Sequence, residues 1–180
     1  MRCLALFLAV LATTALAQDQ SVTFSKFSTK LKLTSFDQRT STAQFIGSIN
    51  VTGTLFVEFD MGASGHADGV NFAKFVPDAQ SVPRLPAVVA GFHPGPVRYV
   101  SLEPAQAALE AAFGKDEATR LARGREPFVR KAVRVIFHNY TASVECDSRD
   151  YYSSAVTVKP ANVEQIAKTA IDQLAVPRGC

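Results

Sequence analysis

From Ala43 to Asp60 the chain reads AQFIGSINVTGTLFVEFD, and every odd position from Ala43 to Phe59 is apolar or glycine while the even positions are mostly polar. Successive strand side chains point to opposite faces, so a sustained period of two predicts a half-buried β-strand. Laid straight, the segment would span roughly 55 Å, against a radius of gyration of about 15 Å for a domain of this size. It must bend or fold back. A two-residue hairpin would switch the buried parity, and the parity never switches, which leaves one curved strand or a three-residue hairpin. Gly47 and Gly53 are both expected on the inward face, where a missing Cβ lets a strand coil or a neighbouring backbone approach. The expectation is one long curved strand in a strongly twisted sheet.

Other elements follow from the same reading. Ser21 to Phe36 alternates with one slip of phase, from even Val22 and Phe24 to odd Phe27, Leu31 and Leu33, which predicts a bulge or a break. Asp37 to Thr42 is a polar turn, so the first two long strands should pair antiparallel. Asp60 to Gly69 lacks apolar periodicity and reads as the long exposed tip of a second hairpin, whose return strand ends at Pro77. Pro77, Pro83, Pro86, Pro94 and Pro96 exclude a central strand from that stretch, because proline cannot donate to a ladder; an irregular crossover with one short strand at Ala87 to Phe92 is expected.

Val97 to Leu102 is a further short strand. The period then becomes helical: Ala105, Ala108, Leu109, Ala112 and Phe113 share a face, with Pro104 at the start and Gly114 past the end. A second short helix has Asp116 as its cap and Gly124 as its stop. Pro127 to Glu145 is the other long β run, with a phase flip at His138-Asn139 that a bulge or, more simply, a two-residue turn would produce. Tyr151 to Val158 reads as the last strand. Lys159 to Leu174 carries a narrow apolar stripe (Val163, Ile166, Ala167, Ala170, Ile171, Leu174) behind Asn162 as cap, which predicts a C-terminal helix. The fold expected is one α+β domain: a predominantly antiparallel, strongly curved β-sheet or partial barrel or sandwich, with a short two-helix insert and a C-terminal helix.

Residues 1–17 change the picture of where the chain works. Arg2, an apolar run too short to span a bilayer and the Ala15-Leu16-Ala17 pattern are those of a signal peptide. Residues 18–180 then form a single exported domain, periplasmic or secreted, beginning at Gln18 and without an integral membrane span. Cys3 leaves with the signal. Cys146 and Cys180 remain, and in an oxidising compartment they read as a disulfide closing a loop of about 35 residues and stabilising by about 3 to 4 kcal/mol. The net charge of +3 becomes +2 without Arg2, too small to imply nucleic acid or an anionic membrane as an obligatory partner. Phenylalanine is abundant, at 13 residues, and tryptophan is absent, so a phenylalanine-rich core is expected.

Candidate chemistry is sparse. His66 and Asp68 form an H-x-D pair that His93 and His138 could approach, but no metal-ligand spacing such as H-E-x-x-H is present, so no metal and no cofactor are expected. Asp60 and Asp68 lack the alternating ligand ladder of a calcium loop. No G-x-S-x-G elbow marks a nucleophile, and no catalytic residue is assigned. The densest charge feature is Arg120, Arg123, Arg125, Arg130, Lys131 and Arg134. Guanidinium forks match carboxylates and phosphates, so these arginines are the candidate face for an anion or an acidic partner, weighed against an ordinary solvated surface cluster. Asn50-Val51-Thr52 and Asn139-Tyr140-Thr141 match the N-glycosylation pattern.

These observations point to an exported, non-enzymatic binding domain for an unidentified protein or envelope component, acting through Asp60 to Gly69, Pro83 to Pro96 and the arginine face. The alternatives are a small-molecule or lipid carrier with a phenylalanine-lined cavity and a hydrolase using His66, Asp68 or His93.

Overall fold

A single strand, β3 (Thr42–Met61), is the spine to which most of the other strands attach. The fold is seen in a computed structural model, which describes residues 22–40, 42–90, 95–145 and 148–160. One edge of β3 pairs with β7 (Phe128–Glu145), from Thr42 opposite Ser143 to Glu58 opposite Phe128. Its other edge is shared. β2 (Leu31–Asp37) covers it as far as Gly47, and β4 (Ala67–Pro77) takes over from Gly53. β5 (Val88–Ala90) pairs instead with β1 (Thr23–Phe24), as a separate two-stranded ladder. β6 (Val100–Leu102) links β4 to β8 (Ser148–Pro160), and β8 returns along β7. All pairings are antiparallel except β6 with β8. Among the described residues the architecture is therefore a mixed, mostly antiparallel β arrangement with two α-helices.

The period of two becomes an inner face. Ala43, Phe45, Ile49, Val51, Leu55, Val57 and Phe59 are all buried, and Val133, Val135 and Phe137 of β7 meet them. Phe45 is contacted edge-on by Phe24, Phe27 and Tyr140, and Phe75 by Phe137, the geometry that ring quadrupoles favour. Helix α1 (Ala105–Phe113) buries Ala108, Leu109 and Ala112 and packs on β4 and β8. Helix α2 (Lys115–Leu121) buries Ala118. Lys131 Nζ donates to the Ala112 carbonyl at 2.6 Å and lies 4.7 Å from the Phe113 ring centre, so it closes the C-terminal end of α1.

The proline-rich crossover is ordered by the core beneath it. Tyr140 donates its hydroxyl to the Pro86 carbonyl at 3.1 Å, and the Val88 N–H donates to the Tyr151 hydroxyl at 3.2 Å, with the two tyrosine rings stacked. Burial, with a smaller contribution from Tyr151, pushes the Tyr140 hydroxyl well above the usual tyrosine range. Ser25 N–H donates to the Ala87 carbonyl at 2.7 Å, stitching the crossover to the segment after β1.

Several expectations need correction. The phase flip at His138-Asn139 is a bulge and not a turn: β7 continues through it, and the extra residue of β3 falls between Ile46 and Ile49. Gly47 lies in that irregularity and is exposed, not inward. Of the two alternatives for the slip after Phe24, the break holds, since β1 and β2 are separate strands. The tip of the second hairpin is shorter than expected: Asp60 pairs with Gly69 and Met61 with Ala67, which leaves residues 62–66 as the turn. Gly114, not Asp116, occupies the N-cap of α2. Strand pairing begins at Val100 rather than Val97 and extends β8 from Ser148 to Pro160, so Lys159 and Pro160 belong to a strand. The rest of the expected C-terminal helix, the signal segment, Cys146, Cys180 and His93 lie outside the described residues. Among the described residues, no helix is long and apolar enough to cross a membrane.

Candidate functional site

Apart from the buried Thr54, the even positions of β3 face outward, and Ile46 and Phe56 interrupt their polar pattern. Phe56 faces Lys74 on one side and Arg130 on the other; Glu58, two residues on, faces Phe72 and Phe128. This diagonal register lets Phe56 stack on Phe128, with ring centres 5.3 Å apart, and on Phe72 at 6.2 Å, with interplanar angles of 25° and 28°. A ridge of three rings thus crosses β7, β3 and β4. Phe128 is 48% exposed. Lys74 Nζ stands 4.4 Å from the centres of both Phe72 and Tyr99, extending the ridge with a cation–π pair of contacts. Arg130 is exposed beside Phe56. The acid within the ridge is Glu58, which accepts from the Asn71 amide at 3.1 Å.

The structure divides the predicted arginines. Arg120 grips Glu117 on its own helix, Nε to Oε2 at 2.7 Å and Nη2 to Oε1 at 2.5 Å. That hydrogen-bonded pair holds Glu117 below and Arg120 above their ordinary pKa values. Arg123 lies beyond the end of α2, so it does not share a helix face with Arg120. Arg125 Nε donates to His66 Nε2 at 3.4 Å. Arg130 and Arg134, four residues apart on β7, are both exposed on its outer face. Arg123 also lines an open cavity of about 410 Å³, with Asp68, Gln106 and Thr119 among its other walls. Among the described residues, no group of three or more His, Cys, Asp or Glu side chains is placed to hold a metal ion.

Arg134 lines a second cavity, of about 300 Å³, together with Asn50, Val51, Thr52 and Arg84. Its origin is the gap in the edge of β3: β2 stops at Gly47 and β4 begins at Gly53. The crossover fills part of that gap. Asp78 N–H donates to the Thr52 carbonyl at 3.0 Å, and Thr52 N–H donates to Ser81 Oγ at 2.9 Å. Thr52 Oγ1 donates to Asp78 Oδ2 at 2.5 Å, and Ser81 N–H donates to Asp78 Oδ1 at 2.8 Å. Partial burial works to raise the Asp78 pKa, but the hydrogen bonds from Thr52, Ser81 and Gln80 together hold it below the ordinary carboxylate value. The 3-10 turn Val82–Arg84 follows directly and delivers Arg84.

Sequence reasoning missed the ridge and Arg84. Phe56 carried a usable signal, being a large apolar residue on the polar parity of a long strand. Arg84 carried none, since it is remote in sequence from Arg134 and stands alone between prolines. No known family, no curated protein and no solved structure matches this chain.

Proposed function

We propose that the chain is an exported, non-enzymatic binding domain whose partner is a protein presenting an acidic segment with apolar side chains. The observation that carries this reading is the stacked ridge of Phe128, Phe56 and Phe72, flanked by Lys74 and Arg130. Contiguous exposed apolar surface marks interaction sites, and aromatic and arginine side chains supply most of the energy at protein interfaces. Two cations against one acid favour an acidic partner and make association sensitive to salt. The pairing of β7 with both β3 and β8, and the bridge of β6 between β4 and β8, support a strongly curved, partial-barrel sheet that carries the ridge on its convex side. The phenylalanine-lined carrier draws no support from the interior, where Phe24, Phe27, Phe45 and Tyr140 meet edge to face.

The test is affinity capture from the native envelope or secretome, using the chain from Gln18 and comparing it with Phe128→Ser and Arg130→Glu at low and moderate salt. The expected result is a partner retained by the parent chain, reduced about tenfold or more by each variant and released as salt rises. An identical capture profile for parent and variants, with unchanged circular dichroism, would overturn the proposal.

A further inference from the structure

The arginine-lined notch beside Thr52 is a second site, independent of the aromatic ridge. It lies on the same outer face, at Thr52 and Arg134 rather than at Phe56 and Arg130, roughly 13 Å away along the strands at about 3.3 Å per residue. Arg84 and Arg134 reach it from opposite sides, one from the crossover and one from β7. Both side chains are exposed. Backbone groups alternate between the two edges of a strand. Thr52 turns its N–H and carbonyl to the gap, so Asn50, two residues earlier, turns its own toward the same edge.

Charge in the notch is positive on balance. Asp78 is its nearby acid, and both carboxylate oxygens are already engaged by Thr52 and Ser81. The register partner of Arg134 on β8 is Lys159. Two guanidinium forks, a carboxamide and a strand-edge N–H around a cavity of about 300 Å³ match a tetrahedral oxyanion with several acceptor oxygens better than a planar carboxylate, which one fork would satisfy. The geometry points to a binding site for a phosphate monoester group, held between Arg84 and Arg134 with Asn50 as a third donor. The Thr52–Asp78–Ser81 network positions Arg84 by fixing the turn that bears it.

The test follows backbone and arginine Nε resonances of the chain from Gln18 by NMR, at constant ionic strength set with chloride. Inorganic phosphate and a sugar phosphate are titrated separately, and co-sedimentation is measured with phosphatidylcholine vesicles doped with phosphatidate. Saturable shifts of Asn50, Thr52 and Arg84 with inorganic phosphate are expected, weakened about tenfold by Arg84→Gln and by Arg134→Gln but not by Lys115→Gln, which removes the same charge from α2. Vesicle binding lost in the same two variants would support the site and identify a lipid headgroup as the source; saturable sugar phosphate binding without vesicle binding would support it with a soluble source. The proposal is overturned if no probe gives saturable shifts at the notch, or if Arg84→Gln and Arg134→Gln leave the titration unchanged.

Discussion

Gly47 and Gly53 show how single positions decide the path of β3. Gly47 has φ of +135°, and a Cβ there would run into the Lys30 carbonyl of the turn before β2. At Gly53 a Cβ would strike the Val76 carbonyl and the Phe75 ring, the close backbone approach that lets β4 begin beside it. Gly47→Ala therefore combines strain in the left-handed region, costing about 1 to 3 kcal/mol, with a backbone collision. We expect a loss of about 2 kcal/mol or more in urea denaturation, whereas Gly65→Ala, with open space around its Cβ, should lose less. Equal losses at the two positions would contradict this account.

At the scale of elements, the 78–84 segment acts as a substitute strand. It satisfies the N–H and carbonyl of Thr52 where neither β2 nor β4 reaches, and Asp78 organises it. Because the folded pKa of Asp78 is depressed, its contribution is fully present above the unfolded value of about 3.9. It is lost as pH falls through the lower folded value. Asp78→Asn should cost about 1 to 3 kcal/mol near neutral pH, and the gap between parent and variant should narrow below about pH 4. Equilibrium denaturation across pH measures this; a gap that stays constant into acid would show that the charge of Asp78 is not what stabilises the loop. The bulges follow the same logic of compensation, since β3 interrupts its odd parity at the exposed Gly47 and resumes it at Ile49 while β7 shifts phase between Phe137 and Tyr140.

For the whole molecule, the crossover decides how the core beneath it is covered. Tyr140 and Tyr151 tie residues 86–88 to the core, so the proline-rich segment is a structural clamp as well as the source of Arg84. The proposed Cys146–Cys180 bridge would add a second tie near the β7–β8 turn. Thiol titration of the chain from Gln18 in denaturant should find no free thiol before reduction and two afterwards, and reduction should lower stability by about 3 to 4 kcal/mol. Two free thiols in the oxidised protein would remove the bridge.

The sequence alone determined the spine and most of the elements. Periods of 2 and 3.6 residues express which side chains face the core, and β3, β4, β7, α1 and α2 could be read from them. The preference for glycine at positions 47 and 53 was visible too, though the exposure of Gly47 was not. What only the tertiary structure decided is which edges meet. A phase flip is compatible with a turn or a bulge, and the choice at His138-Asn139 depended on β3 supplying a long partner across it. The arginine cluster, contiguous in the chain, is dispersed because a helix end, a loop and a strand face point in different directions. Arg134 gained Arg84 through the docking of the crossover turn against the open edge of β3, and Phe56 gained Phe72 and Phe128 through strand register; both are long-range properties that no local pattern encodes.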